Sequence, residues 1–185
     1  MSHSEKEIDC CMVDPAKMEQ HCKLDTKQLF KALTTNKTTR PFFDGIFAKD
    51  LLENIESPPQ LIICNTDVSF EKGEHWVAFF FQNEICEFFD SMNKPLNFYG
   101  PEFVNFVKKF SVKCITTKKR TQPLNSSLCG LYCLFFAFHK CAGKSLSAIV
   151  KKMISKKFVF TFVKKTFKIC KKSESKFLMS CIACK

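Results

Sequence analysis

Hydrophobic positions along this chain fall into two patterns, short continuous runs and helical repeats. QLIICNT reads as a buried strand, bounded by Pro58-Pro59 before it and by the polar, glycine-bearing DVSFEKGE after it. HWVAFFFQ and EICEFFDS are separated only by Asn83 and Glu84, which predicts an antiparallel hairpin, and SVKCITTK predicts a further strand. Between these runs the period changes. Asp25 N-caps a short helix over TKQLFKAL, AKDLLENI supplies a helical turn or two, and FYGPEFVNFVKKF sets Phe103, Phe106, Val107 and Phe110 at helical spacing. In PFFDGIF, Phe42, Phe43 and Ile46 read as core anchors and Asp44-Gly45 as a turn.

The C-terminal third begins with QPLNSSLCGLYC, a polar loop running into an apolar segment. Asn125, Ser126 and Ser127 are N-cap residue types, and CGLYCLFFAFHKCA is apolar enough to be a buried helix, so Cys129 falls in a first helical turn. Ser145 caps LSAIVKKMI. KKFVFTFVKKTFKICKK then gathers Phe158, Val159, Phe162, Val163 and Phe167 on one side and paired lysines on the other, the pattern of a core-packing amphipathic helix.

Composition sharpens this picture in three places. With 185 residues, 45% of them apolar and 22 of them Phe, the chain can bury a real core, and it reads as one soluble globular domain over residues 25–185 behind a lead-in of residues 1–24. No stretch approaches the ~20 apolar residues of a membrane span, and MSHSEKEID has no signal-peptide character, which predicts an intracellular protein with its 12 cysteines reduced. Charge is the third. Thirteen lysines and one acid, Glu174, lie between Lys140 and Lys185, so that quarter carries +12 of a net +11 and the rest carries −1. Such asymmetry fits a polyanionic partner, nucleic acid first, or a solvated helix face.

Several groups could carry chemistry. A thiol at a helix start is a candidate nucleophile, because unpaired N–H groups and the helix dipole favour an anion there; the bland reading of Cys129 is a small buried hydrophobe. Its partners decide between the two. In a hairpin turning near residue 83, His75 at the start of the first strand and Asp90 at the end of the second are about equally far from the turn, hence neighbours at its open end. His75 can then serve as base and Asp90 as its orienting carboxylate. Gln122 offers a side-chain amide to an oxyanion, with the Cys129 N–H as a second donor. His3, His21 and His139 compete as bases, although His139 lies too far along the helix of Cys129 to reach its thiol. Cys10, Cys11, His21 and Cys22 do not have the paired spacing of a zinc module, and no metal site is assigned.

GEHWVAFFF, CEFFDSM and QPLNSSLCGLYC together resemble the adenovirus-type cysteine proteinases, the adenain family, and more distantly the proteases of SUMO and other ubiquitin-like proteins. The family pattern is His-Trp, an acid some fifteen to twenty positions later, and a Gln seven positions before Cys-Gly; here it falls on His75-Trp76, Asp90, Gln122 and Cys129-Gly130. The likeness runs over roughly residues 26–140. It implies an α+β fold, a small mixed sheet packed against helices, and a cysteine endopeptidase with His75, Asp90, Gln122 and Cys129 as catalytic residues. It also implies cleavage of viral structural precursors at glycine-rich sites, a DNA virus or Polinton-like element as source, and the host nucleus and virion as location. No cofactor is needed for the chemistry. Adenoviral members are stimulated by DNA and by a viral peptide attached through a cysteine; Cys114 stands at the matching position, and the Lys-rich quarter suits DNA. A monomer is expected. A ubiquitin-like-protein isopeptidase and an inactive nucleic-acid-binding module are the alternatives.

Overall fold

Residues 23–169, which the computed structural model describes, form a five-stranded sheet with helices on both faces. The readings placed on His3, Cys10, Cys11, His21, Cys22, Glu174 and the lysines beyond residue 169 lie outside the described residues. Helix α1 (Thr26–Thr35) starts where Asp25 predicts it. The Asp25 carboxylate accepts the Gln28 N–H at 2.7 Å and the Gln28 side chain accepts the Asp25 N–H at 3.0 Å, a reciprocal cap.

The strands are β1 (Phe43–Ala48), β2 (Leu61–Asn65), β3 (Trp76–Gln82), β4 (Ile85–Phe89) and β5 (Lys113–Thr116), and they lie side by side in chain order. The pairs β2–β3 and β3–β4 are antiparallel, while β1–β2 and β4–β5 are parallel, so the sheet is mixed and the class is α+β. Asn83 and Glu84 both take left-handed backbone angles, φ 51° and 58°, and close the β3–β4 hairpin in two residues.

Asp44-Gly45 is not a turn, as its composition suggested. It lies inside β1 at a register shift between Phe43 and Gly45, and the Asp44 carboxylate takes the N–H of Gln60 at 2.6 Å and of Leu61 at 3.2 Å. The dipeptide that usually ends a strand here bulges one and anchors the next.

Covering both faces explains the unbroken apolar runs of β2 and β3, since neither face of these strands meets water. On one face Leu61, Ile63, Ala78, Phe80 and Phe89 pack against α1, α3 (Cys129–Cys141), α4 (Leu146–Lys152) and α5 (Lys156–Phe167). On the other, Ile62, Val77, Phe79, Phe81 and Phe88 pack against Leu52 of a 3₁₀ turn (Lys49–Asn54) and Phe103, Phe106 and Val107 of α2 (Pro101–Phe110). Helix α3 is buried on nearly every side, and its Phe136 stacks flat on Phe89 at 4.9 Å. No helix of the described residues is long and apolar enough to cross a membrane.

Candidate active site

Two structural units meet at the open end of the β3–β4 hairpin. His75 immediately precedes β3 and Asp90 immediately follows β4, and His75 Nε2 lies 2.6 Å from Asp90 Oδ1. Asp90 is fully buried and accepts three more bonds. The Met92 N–H reaches Oδ1 at 2.9 Å, and the Lys94 N–H and the Tyr99 hydroxyl reach Oδ2 at 2.6 and 2.9 Å. With all four acceptor directions filled, the carboxylate has one orientation and so does the imidazole it holds.

Cys129 is the first residue of α3 and comes within hydrogen-bond reach of His75. The helix-start reading holds, but the cap is different. The N-cap is Leu128, without a capping side chain, and Asn125, Ser126 and Ser127 lie upstream of it; the Ser126 hydroxyl only reaches the Leu128 N–H at 3.4 Å. A serine cap would tie up the first-turn N–H groups that a site at this helix start would use, and leucine cannot. Gly130 follows from packing. A Cβ there would stand 3.2 Å from Leu24 Cβ and 3.5 Å from Leu29 and Trp76, too tight a place for a side chain without movement. Trp76 holds the other side of this contact, donating its indole N–H to the Leu24 carbonyl at 3.1 Å.

Gln122 arrives from the loop between β5 and α3 and is 3% exposed. Its N–H bonds the Ser91 carbonyl at 3.0 Å, its side-chain oxygen accepts the Ser91 hydroxyl at 2.7 Å, and its amide nitrogen donates to the Ser126 carbonyl. One amide N–H is therefore used in fixing the loop and the second is left for the cleft. Gln122, His75, Cys129, Tyr99 and Ser126 line an open cleft of about 460 Å³, whose rim carries Lys49, Asp67, Glu74 and Lys94. Three of the four predicted site residues border it, and the fourth, Asp90, is buried behind His75.

Electrostatics follow from these contacts. Burial pulls the His75 imidazole down, but its bonds to Asp90 and then to Cys129, with their charges, outweigh burial and raise it from its ordinary 6.5 to about 9. For Asp90, burial pushes upward, and the His75 bond with the Lys94 and Met92 N–H groups leaves it below the usual carboxylate range. The linkage signs are opposite. A raised histidine stabilises the fold fully below about 6.5 and loses that contribution as pH climbs through about 9; a lowered carboxylate contributes above 3.8 and loses it on acidification. We expect unfolding free energy from urea titrations to fall between pH 6.5 and 9 and the fall to vanish in His75→Gln. An undiminished slope in that variant would assign it to other groups.

Tyr99 is the residue the sequence reading missed. Besides bonding Asp90, its ring stacks on His75 at 6.1 Å and 22°, and burial together with the Asp90 charge pushes its hydroxyl upward. FYGPEF reads as one helical stretch, whereas Leu96–Tyr99 forms its own 3₁₀ turn and Gly100, at φ 110°, separates it from α2. The YGP triplet was the available signal, a glycine-proline break just before a helix.

Cys114 lies away from the cleft on β5, half-buried beside Cys86 of β4. His139 of α3 is buried against Phe135 of the same helix and Phe162 of α5, and burial first, then Lys152 and Lys144, lower its protonation. It stands apart from the cleft.

The fold itself, a five-stranded mixed sheet with a helix-borne cysteine against a hairpin-borne His-Asp pair, is shared with solved structures that include a viral protease. Among solved structures, the chain is similar to the ASFV pS273R protease, with TM-score 0.50, 17% identity, and coverage of 78% of this chain and 71% of that one. It is similar also to ChlaDub1 from Chlamydia trachomatis, with TM-score 0.53, 13% identity, and coverage of 81% of this chain and 95% of that one. No family model matches the sequence, and no curated protein matches it either.

Proposed function

We propose that this chain is a cysteine endopeptidase of a DNA virus or Polinton-like element, maturing structural precursor proteins at glycine-rich sites. The observation that carries the reading is the chain of contacts from Asp90 through His75 to Cys129 at a helix start in an open cleft. Cys129 gives its proton to His75 and attacks the scissile carbonyl as a thiolate, with Asp90 holding the ring in position. The Gln122 amide and the Cys129 N–H receive the oxyanion. His75 then protonates the leaving amine, a water it deprotonates attacks the thioester, and Cys129 is released. Similarity in fold to the ASFV pS273R protease supports the peptidase part of this reading.

Incubation with a library of glycine-rich peptides tests this, run beside vinyl-sulfone probes built on ubiquitin and SUMO. Peptide cleavage without probe labelling is expected. Labelling of Cys129 without peptide cleavage would replace the reading with an isopeptidase of ubiquitin-like proteins, which the similarity to ChlaDub1 keeps as the second reading. Gln122→Ala should lower kcat by about 10²–10³ with KM little changed, as for loss of one oxyanion donor; an unaltered kcat would take Gln122 out of the oxyanion site.

For DNA stimulation the support is electrostatic. Lys144, Lys151, Lys152, Lys157, Lys165 and Lys168 are exposed on and around α4 and α5. A stimulation carried by such contacts weakens steeply as salt rises, and activity with DNA that is flat between low and physiological salt would leave these lysines as a solvated face.

A further inference from the structure

Cys86 and Cys114 are direct partners in the parallel β4–β5 ladder, so their side chains leave the sheet on the same face. Neighbouring strands lie about 4.8 Å apart, inside the roughly 4.4–6.8 Å between Cα atoms that a disulfide spans. Both are free thiols, and they interact with each other. They differ in access. Cys86 is fully buried in the cluster around Phe79 and Phe88, whereas Cys114 is only half-buried on β5, the edge strand.

We propose that Cys86 and Cys114 form a peroxide-responsive dithiol, with Cys114 as the attacking sulfur and Cys86 as the resolving one, closing a reversible disulfide that staples β4 to β5. The Cys114 thiolate attacks one oxygen of a hydroperoxide, breaking the O–O bond, giving the sulfenic acid and releasing hydroxide, or alkoxide from an organic peroxide, which takes up a proton. The Cys86 thiol then attacks the sulfenic sulfur, forming the S–S bond and expelling water. Two thiols are oxidised and one peroxide is reduced; a dithiol reductant reverses it.

The electrostatics agree with this division of roles. A hydrogen bond from Cys86 lowers Cys114, and burial together with the neighbouring Cys114 raises Cys86. Cys64, Cys133 and Cys141 are all pushed up, chiefly by burial, and are poor competitors. Placement gives the staple a consequence. Strand β4 leads directly into Asp90, and the Asp90 carbonyl accepts the Thr117 hydroxyl just past β5, on the segment that leads to Gln122. The bond thus fixes the two strands that deliver the carboxylate and the oxyanion donor. It also uses the sulfur that a thiol-linked peptide would need.

The full chain, treated with stoichiometric hydrogen peroxide, blocked with iodoacetamide and digested, should yield a peptide pair joined through Cys86 and Cys114, lost after dithiothreitol. Cys86→Ser should abolish the pair and leave Cys114 as a dimedone-trapped sulfenic acid, and Cys114→Ser should abolish both signals; circular dichroism reports whether each variant is folded. Because Cys86 is buried, Cys114→Ser and the wild-type peptide map stand alone if Cys86→Ser does not fold. Cys114 remaining reduced while other cysteines oxidise, or joined to any cysteine other than Cys86, would overturn the proposal.

Discussion

Cys129→Ala cuts no peptide, with kcat lowered by at least about 10⁴, while its unfolding midpoint stays near that of the wild type. Both halves of this expectation come from the same place. Cys129 is 3% exposed at the first position of α3 and has no capping role there, so alanine keeps a small apolar group where the helix already starts from Leu128. The chemistry has no substitute, because the buried neighbour Cys133 gives its thiol to the Trp76 carbonyl at 3.3 Å and lies beneath the cleft floor. Single-turnover cleavage beside a denaturant titration of both proteins makes the comparison. Wild-type rates in the alanine protein would remove Cys129 from the mechanism and the endopeptidase reading with it.

Asp90→Ala affects stability as well as rate. It leaves the Met92 and Lys94 N–H groups, the Tyr99 hydroxyl and His75 Nε2 without their acceptor in a fully buried place, a loss of about 3–5 kcal/mol. Turnover falls by about 10³–10⁴ because the imidazole is no longer held in one orientation. Asp90→Asn separates the two effects. One oxygen remains for part of the donor set, so stability recovers partway, but the amide cannot take the place of a carboxylate on both sides and the rate stays low. An asparagine variant as fast as wild type would reduce Asp90 to an architectural residue.

The neighbourhood of His75 and Asp90 is legible in the sequence because a hairpin converts spacing into distance: a two-residue turn at Asn83-Glu84 fixes which residues share its open end. Strand type is legible as well, since β2 and β3 are buried on both faces and read as continuous apolar runs. What escapes is set by single backbone angles. Gly100 divides one apparent helix into two elements and turns Tyr99 toward Asp90, and the bulge at Gly45 puts Asp44 inside a strand. No periodicity encodes either event. Nor does composition reveal that α3 begins without a polar cap, because three cap-forming residues precede Leu128 and none caps it.

The division of the cleft between the hairpin and α3 has a consequence for the time course of synthesis. A ribosome that has delivered everything through β5 has made His75, Asp90 and Tyr99, while the sulfur that attacks is still untranslated. Activity therefore arrives only when α3 docks on the sheet, and Gly130 against Leu24 and Trp76 ties that docking to the segment just before α1.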